Sequence, residues 1–159
     1  MILYHGSNIA IDRPDLSKTK PYKDFGRGFY LSADRQQAIR MAEQRTLIMQ
    51  EGSPTVTCFD FDERSLADGS LNVRLFDGYS EEWAEFILRN RDINTPQPAH
   101  NYDIIYGPIA DDGVTFQLRR YMAKAISLAE LVRELKYSKG VTFQYYFGTD
   151  RAISKFTRL

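Results

Sequence analysis

The hydrophobic and polar positions along the chain set out a sequence of short strands and helices. Met1 to Tyr4 is an apolar run and a first strand. Residues 8 to 26 carry Pro14, Pro21 and scattered Lys and Asp, and read as a long polar loop. Gly28 to Leu31 is a second short strand. Asp34 is placed to cap a helix with Ala38, Met41, Ala42, Ile48 and Met49 on one face, stopped by Gly52, Ser53 and Pro54. Thr55 to Phe61 alternates and is rich in β-formers, so it predicts a strand, and Leu71 to Leu75 predicts another.

Ser80 caps a helix with Glu81 and Glu82 in its first turn and Arg89 and Arg91 at its end, which complements the helix dipole. Residues 92 to 101 contain two prolines and read as a loop. Tyr102 to Tyr106 is a strand ending at Gly107 and Pro108. Asp112 caps a helix with Val114, Leu118, Tyr121, Met122 and Ala125 on one face. Ser127 and Glu130 have capping-box spacing before Leu128, Leu131, Val132 and Leu135, and Gly140 ends that helix. Val141 to Phe147 reads as the last strand, and the tail from Thr149 as one more short helix. Strands and helices without strict alternation predict an α+β fold with a largely antiparallel sheet.

Length and composition narrow the classes. The 159 residues fit one domain spanning 1–159. Hydrophobic content of 43% predicts an ordered globule. Lys+Arg and Asp+Glu are both 21, so no global basic field draws nucleic acid or a membrane, although a local basic groove stays open. The single cysteine, Cys58 in TVTCFDF, excludes an internal disulfide framework and reads as a small buried hydrophobe. The start MILYHGSN lacks a signal-peptide pattern, and no window approaches the roughly 18 apolar residues of a membrane span. The expectation is a cytoplasmic protein without a membrane partner.

Three short pieces carry candidate chemistry. In LYHGS, His5 stands beside Gly6, which admits another backbone or a ligand at close range, and beside the Ser7 hydroxyl. The competing reading of His5 is a hydrogen-bonded strand-end residue. His100 lies far off in a proline-rich loop, so a metal site is not expected. In DFGRGFYLS, Gly26 and Gly28 lead into a strand instead of a helix, which excludes a phosphate-cradling dinucleotide fingerprint. Alternation sends one of Phe29 and Tyr30 into the core and the other to the opposite face. In VTFQYYF, Thr142, Gln144 and Tyr146 share one face and Phe143, Tyr145 and Phe147 the other. A glutamine within so aromatic a strand needs partners, which either a cleft or a neighbouring strand edge supplies.

Together the pieces resemble the ADP-ribosyltransferase superfamily, in the histidine–tyrosine–glutamate branch that includes diphtheria-type toxins and the poly(ADP-ribose) polymerases. His5-Gly6, then Gly26-Arg27-Gly28-Phe29-Tyr30, then Gln144 stand in the order of that branch's motifs. The wider frame of LYHGS, DFGRGFYLS, QQA, YDIIYGP and QYYF is similar to an uncharacterised bacterial family of this superfamily, with members in toxin–antitoxin-like gene pairs. The resemblance implies a split, mainly antiparallel sheet holding NAD as co-substrate in a cleft, with no metal. It implies catalytic roles for His5, Tyr30 and Gln144. His5 would bond the nicotinamide-side ribose, the Gly6 backbone the nicotinamide amide, and Tyr30 would stack on the ring. Gly28 belongs to the same motif, Ser7 and Ser32 are further cleft-lining candidates, and Arg27 would meet a phosphate. The implied activity is displacement of nicotinamide and transfer of ADP-ribose to a protein or nucleic-acid acceptor, by a bacterial toxin with an antitoxin partner.

One departure matters. Where the family carries Glu, this chain carries Gln144. An amide does not ionise, so it is no general base and supplies no negative charge to an oxocarbenium-like transition state. Three outcomes stay open: transfer by orientation to an acceptor already nucleophilic, service by another carboxylate such as Asp111 or Asp112, or binding without turnover. An NAD glycohydrolase is a further alternative, since acceptor choice lives in loops.

Overall fold

The computed structural model describes residues 1–138 and 140–159. Its strands form two sheets. In the first, β1 (Ile2–Ser7), β3 (Thr55–Phe61) and β7 (Phe156–Arg158) run in the order β1-β3-β7, all antiparallel. In the second, β2 (Phe29–Leu31), β4 (Val73–Leu75), β5 (Ile104–Pro108) and β6 (Phe143–Phe147) run in the order β2-β6-β5-β4. Only the β4–β5 pair is parallel. The sheets meet at one antiparallel bridge between Tyr4 of β1 and Ser32, just past β2, with Tyr4 N to Ser32 O at 2.8 Å and Ser32 N to Tyr4 O at 2.9 Å. This is the mainly antiparallel α+β architecture that the element order predicts, and its division into two sheets is the split that the family resemblance implies.

Helix α1 (Arg35–Met49) starts where Asp34 accepts from the Gln36 N–H at 2.8 Å. It packs against β1 at Gly6. A Cβ on Gly6 would lie 1.9 Å from the Ala38 carbonyl oxygen, so only glycine admits this approach. The closeness also corrects the expected apolar stripe. Small Ala38 and Ala42, with Gln37, fill the buried face, while the larger Met41, Ile48 and Met49 are pushed to its margins and exposed. The backbone that Gly6 admits is the helix.

Two cores flank the second sheet. Phe29, Phe59, Phe61, Phe147 and Phe156 build one with Leu3 and Ile104. Tyr146, Phe25 and Ile105 build the other with Trp83 and Ile87 of α2 (Glu81–Arg91), Val114 and Leu118 of α3 (Asp112–Met122), and Leu131 and Leu135 of α4 (Leu128–Tyr137). Each such fully buried large side chain contributes about 1.5–3 kcal/mol. The Trp83 indole N–H, sealed in this core, donates to the Pro108 carbonyl at 2.8 Å. Ser127 and Glu130 form the predicted capping box.

Several boundaries differ from the pattern. Asp111, one residue earlier than Asp112, caps α3 through Val114 N at 2.9 Å. Met122 is exposed and Ala125 lies past the helix, so neither belongs to its buried face. The β6 strand starts at Phe143 and is not the last: after α5 (Asp150–Ile153), β7 adds to the edge of β3. Cys58 is half-buried. Among the described residues no helix is long and apolar enough to cross a membrane.

Candidate functional site

The cleft opens where the two sheets part. Its volume is about 1030 Å³, and its walls include His5, Gly6, Ser7, Gly28, Tyr30, Ser32 and Gln144. The loop between β1 and β2 straps one side, and α1 supplies the other through Ala38, Met41 and Arg45. Those helix positions are three and four residues apart and so share one face.

Strand register explains the convergence. In the β2–β6 ladder Tyr30 faces Tyr146 and Leu31 faces Tyr145. Continuing one residue sets Gln144 opposite Ser32, which is bridged to Tyr4 of β1. Opposed residues of an antiparallel pair share a face, so Tyr30, Ser32 and Gln144 lie on the cleft side while Phe29, Leu31, Tyr145 and Phe147 fill the core behind.

Gly6 takes part through its main chain. Tyr4 spends its N–H and C=O on Ser32, away from β3. Alternation then turns the N–H and C=O of Gly6, two residues on, to that same open edge. Bridging stops before Gly6, so the pair faces the cleft. Such unpaired main-chain groups call for a partner.

His5 is half-buried, its ring stacked on Phe29 with centroids 4.4 Å apart. Its Nδ1 lies 2.9 Å from the Tyr30 carbonyl, which only accepts, so Nδ1 carries the proton. Loss of water lowers the His5 pKa below the ordinary histidine value; the carbonyl contact opposes this, and Lys23 and Arg45 add to it. The neutral ring leaves Nε2 as an acceptor.

Tyr30 is a fixed wall. Its hydroxyl donates to the Gly26 carbonyl at 2.8 Å and accepts from the Phe25 N–H at 3.0 Å, closing the glycine turn on itself. Burial, then the charge of Asp24, raises the phenol pKa well above its usual value. The ring offers a face and no acid–base chemistry. Gly28 makes room for the neighbouring aromatic: a Cβ there would meet the Tyr146 ring at 2.1 Å.

Gln144 is buried, 4% exposed. Among the described residues its side chain makes one hydrogen bond, Nε2 to the Met41 sulfur at 3.2 Å. Ser32 is buried and donates to Gln37 Oε1 while accepting from Asp34 N at 2.9 Å, which pins the start of α1. Ser7 donates to Asn8 Oδ1 at 3.3 Å.

Arg27 does not line the cleft. It is exposed, and its Nη1 donates to the Thr19 carbonyl, tying down the strap. Asp111 and Asp112 lie at the start of α3, outside the cleft walls. Three carboxylates border the cleft: Asp12, paired with Arg158, Asp15, paired with Lys18, and Asp24. Asp24 is the most buried of them. It accepts from Arg91 Nε at 2.7 Å and from the Ala110 N–H at 2.7 Å, so its charge is already neutralised. Asp24 and Arg91 are 67 positions apart, and no local pattern joins them. The cleft stripe of Met41 and Arg45 was legible as a periodicity from Ala38, but an arginine breaks an apolar search.

Chemically, the walls present one aromatic face, two hydrogen-bonding side chains with unspent acceptors, and the half-buried Gly6 main-chain pair turned towards the cleft. Among the described wall residues no free carboxylate stands beside Gln144. No curated protein and no solved structure matches the chain. The family described as "Protein of unknown function (DUF3990)" matches residues 1–157, and the chain belongs to that family.

Proposed function

We propose that the protein is an NAD-dependent ADP-ribosyltransferase whose cleft binds the nicotinamide end of NAD. One observation carries the reading: His5, Tyr30 and Gln144 wall a single cleft beside a Gly6 main chain turned towards it. The unspent N–H and C=O of Gly6 match a carboxamide, which needs one acceptor and one donor. Tyr30 offers a ring face for stacking, and neutral His5 offers Nε2 to a ribose hydroxyl. NAD supplies a glycosidic bond to a good leaving group. Within the cleft Tyr30 and Gly6 hold that group in place, while His5 and Gln144 orient the sugar. As the bond breaks, its electron pair goes to the ring nitrogen of nicotinamide, the acceptor's lone pair forms the new bond at the same carbon, and any proton the acceptor carries passes to solvent. Acceptors of ADP-ribose are a protein or nucleic-acid group.

A silent binding module is the second reading, favoured by the amide at Gln144 and by the neutralised Asp24. Nicotinamide release from NAD by purified protein separates the two. Release by the native chain, lost in Tyr30→Ala, establishes an NAD-consuming enzyme. Absence of both release and NAD binding, in the native chain and in Gln144→Glu, overturns the proposal.

A further inference from the structure

The charges around the cleft do not balance. Six cationic side chains line it: Arg13, Lys18, Lys20, Lys23, Arg45 and Arg91. The carboxylates beside them are spent elsewhere. Asp24 serves Arg91, Asp15 serves Lys18 and Ser17, and Asp12 serves Arg158. Among the described residues Arg13, Lys20, Lys23 and Arg45 have no ion-pair partner. Lys20 and Lys23 stand on the strap and Arg45 on the cleft face of α1, one turn past Met41, and the charges of Arg45 and Lys20 both bear on Lys23.

All three are exposed at the cleft rim, and Lys23 leans over the wall. Its ammonium lies 5.2 Å from the centre of the Tyr30 ring, on the face an aromatic ligand needs. Loss of water holds its pKa below the ordinary lysine value, Arg45 and Lys20 press it further in that direction, and only Asp24 opposes. Like charges gathered around a concave wall concentrate anions there.

We propose that Lys20, Lys23 and Arg45 form a phosphate subsite, and that filling it draws Lys23 off the face of Tyr30. The assignment rests on the NAD reading for its second half only. The nicotinamide ring of NAD is itself positively charged, so Lys23 opposes its stacking on Tyr30. A diphosphate on the same ligand supplies the counter-charge that moves the ammonium aside. Free nicotinamide has no such group and meets a closed face. Arginine and lysine together suit a polyanion, a fork and a mobile point charge. The same chemistry comes from an internal diphosphate of a dinucleotide or from a terminal phosphate monoester.

Calorimetric titration of the full chain with inorganic pyrophosphate tests the subsite. The expected result is salt-sensitive binding that weakens roughly tenfold or more in Lys20→Gln/Arg45→Gln. ADP-ribose and AMP distinguish the sources: tighter binding of ADP-ribose assigns an internal diphosphate, and tighter binding of AMP a terminal phosphate. Nicotinamide is expected to bind the native chain only with pyrophosphate present, and to bind Lys23→Gln without it. Pyrophosphate bound equally by native and double-variant chains overturns the subsite, even where NAD binds. Loss of pyrophosphate binding in the double variant, with nicotinamide bound by no form, sustains the subsite and removes the NAD reading and the Lys23 movement.

Discussion

His5 donates its Nδ1 proton to the backbone carbonyl of Tyr30, 2.9 Å away. A side chain of the first sheet is thereby oriented by the main chain of the second, at the point where bridging between them stops. The contact fixes the tautomer and leaves Nε2 free, so the split in the sheet and the chemistry of the cleft have one cause. Ring and hydroxyl of Tyr30 then do separate work.

That separation predicts unlike outcomes for two substitutions. Tyr30→Phe keeps the ring but leaves the Gly26 carbonyl and the Phe25 N–H without their partner. The expected cost is about 1–2 kcal/mol of stability, read by urea unfolding, with NAD affinity retained. Tyr30→Ala removes the face itself, and NAD affinity is expected to fall at least tenfold. Equal loss of affinity in both variants would place the hydroxyl, not the ring, at the ligand.

Gly6 predicts a structural failure. A methyl group there meets the Ala38 carbonyl oxygen at 1.9 Å and Ala42 N at 2.8 Å, both helix backbone. Neither moves without shifting α1 from β1. Gly6→Ala is expected to cost about 1–3 kcal/mol or more, seen as a lowered denaturation midpoint. An unchanged midpoint would mean that α1 sits less closely on the sheet than described.

Much of this was legible in the sequence, for reasons specific to each element. The helix caps at Asp34, Ser80 and Ser127 are local hydrogen bonds, and local patterns report them. The alternation of FQYYF decided which side of β6 faces the cleft. By contrast β7 is three residues long and is held by pairing with distant β3 and by Phe156 in the aromatic core, so no short window contains its cause. Asp24 with Arg91, and Lys20 and Lys23 with Arg45, join the strap to α2 and to α1, elements far from it in sequence or set by the tertiary fold. Arg27 looked like a phosphate ligand beside its glycines, yet those glycines turn it towards Thr19.

Two histidines predict a pH response of stability. Burial lowers the pKa of His5 and of His100; for His100 the backbone carbonyl of Phe25, 2.6 Å from Nε2, opposes it. A folded pKa below the unfolded value means that the unfolded chain takes up protons first as pH falls. Stability is therefore full above the ordinary histidine value near 6.5 and declines as pH drops through it. The melting temperature is expected to be lower at about pH 5 than at about pH 7. Replacing both residues by Gln is expected to flatten the slope in this window, and an unaltered slope would assign it to other groups.

Gln144→Glu tests the chemistry of the cleft most directly. The position is 4% exposed, and its one hydrogen bond among the described residues goes to the Met41 sulfur. A carboxyl there loses water and has no cation among the native side chain's hydrogen-bond partners, so burial is expected to raise its pKa above the ordinary glutamate value, with the cleft cations opposing part of that rise. The sign for stability follows: the unfolded carboxyl ionises first, so the variant is increasingly destabilised as pH rises past about 4.3, by about 1–3 kcal/mol at neutrality. Ionised, the same group supplies the negative charge that the native amide lacks. NAD cleavage by the variant is thus expected to exceed that of the native chain and to rise with pH through the raised pKa. Nicotinamide release measured against pH, beside unfolding at the same pH values, reads both effects. Loss of stability without any gain in release would mean that residue 144 lies too far from the scissile bond for its charge to matter.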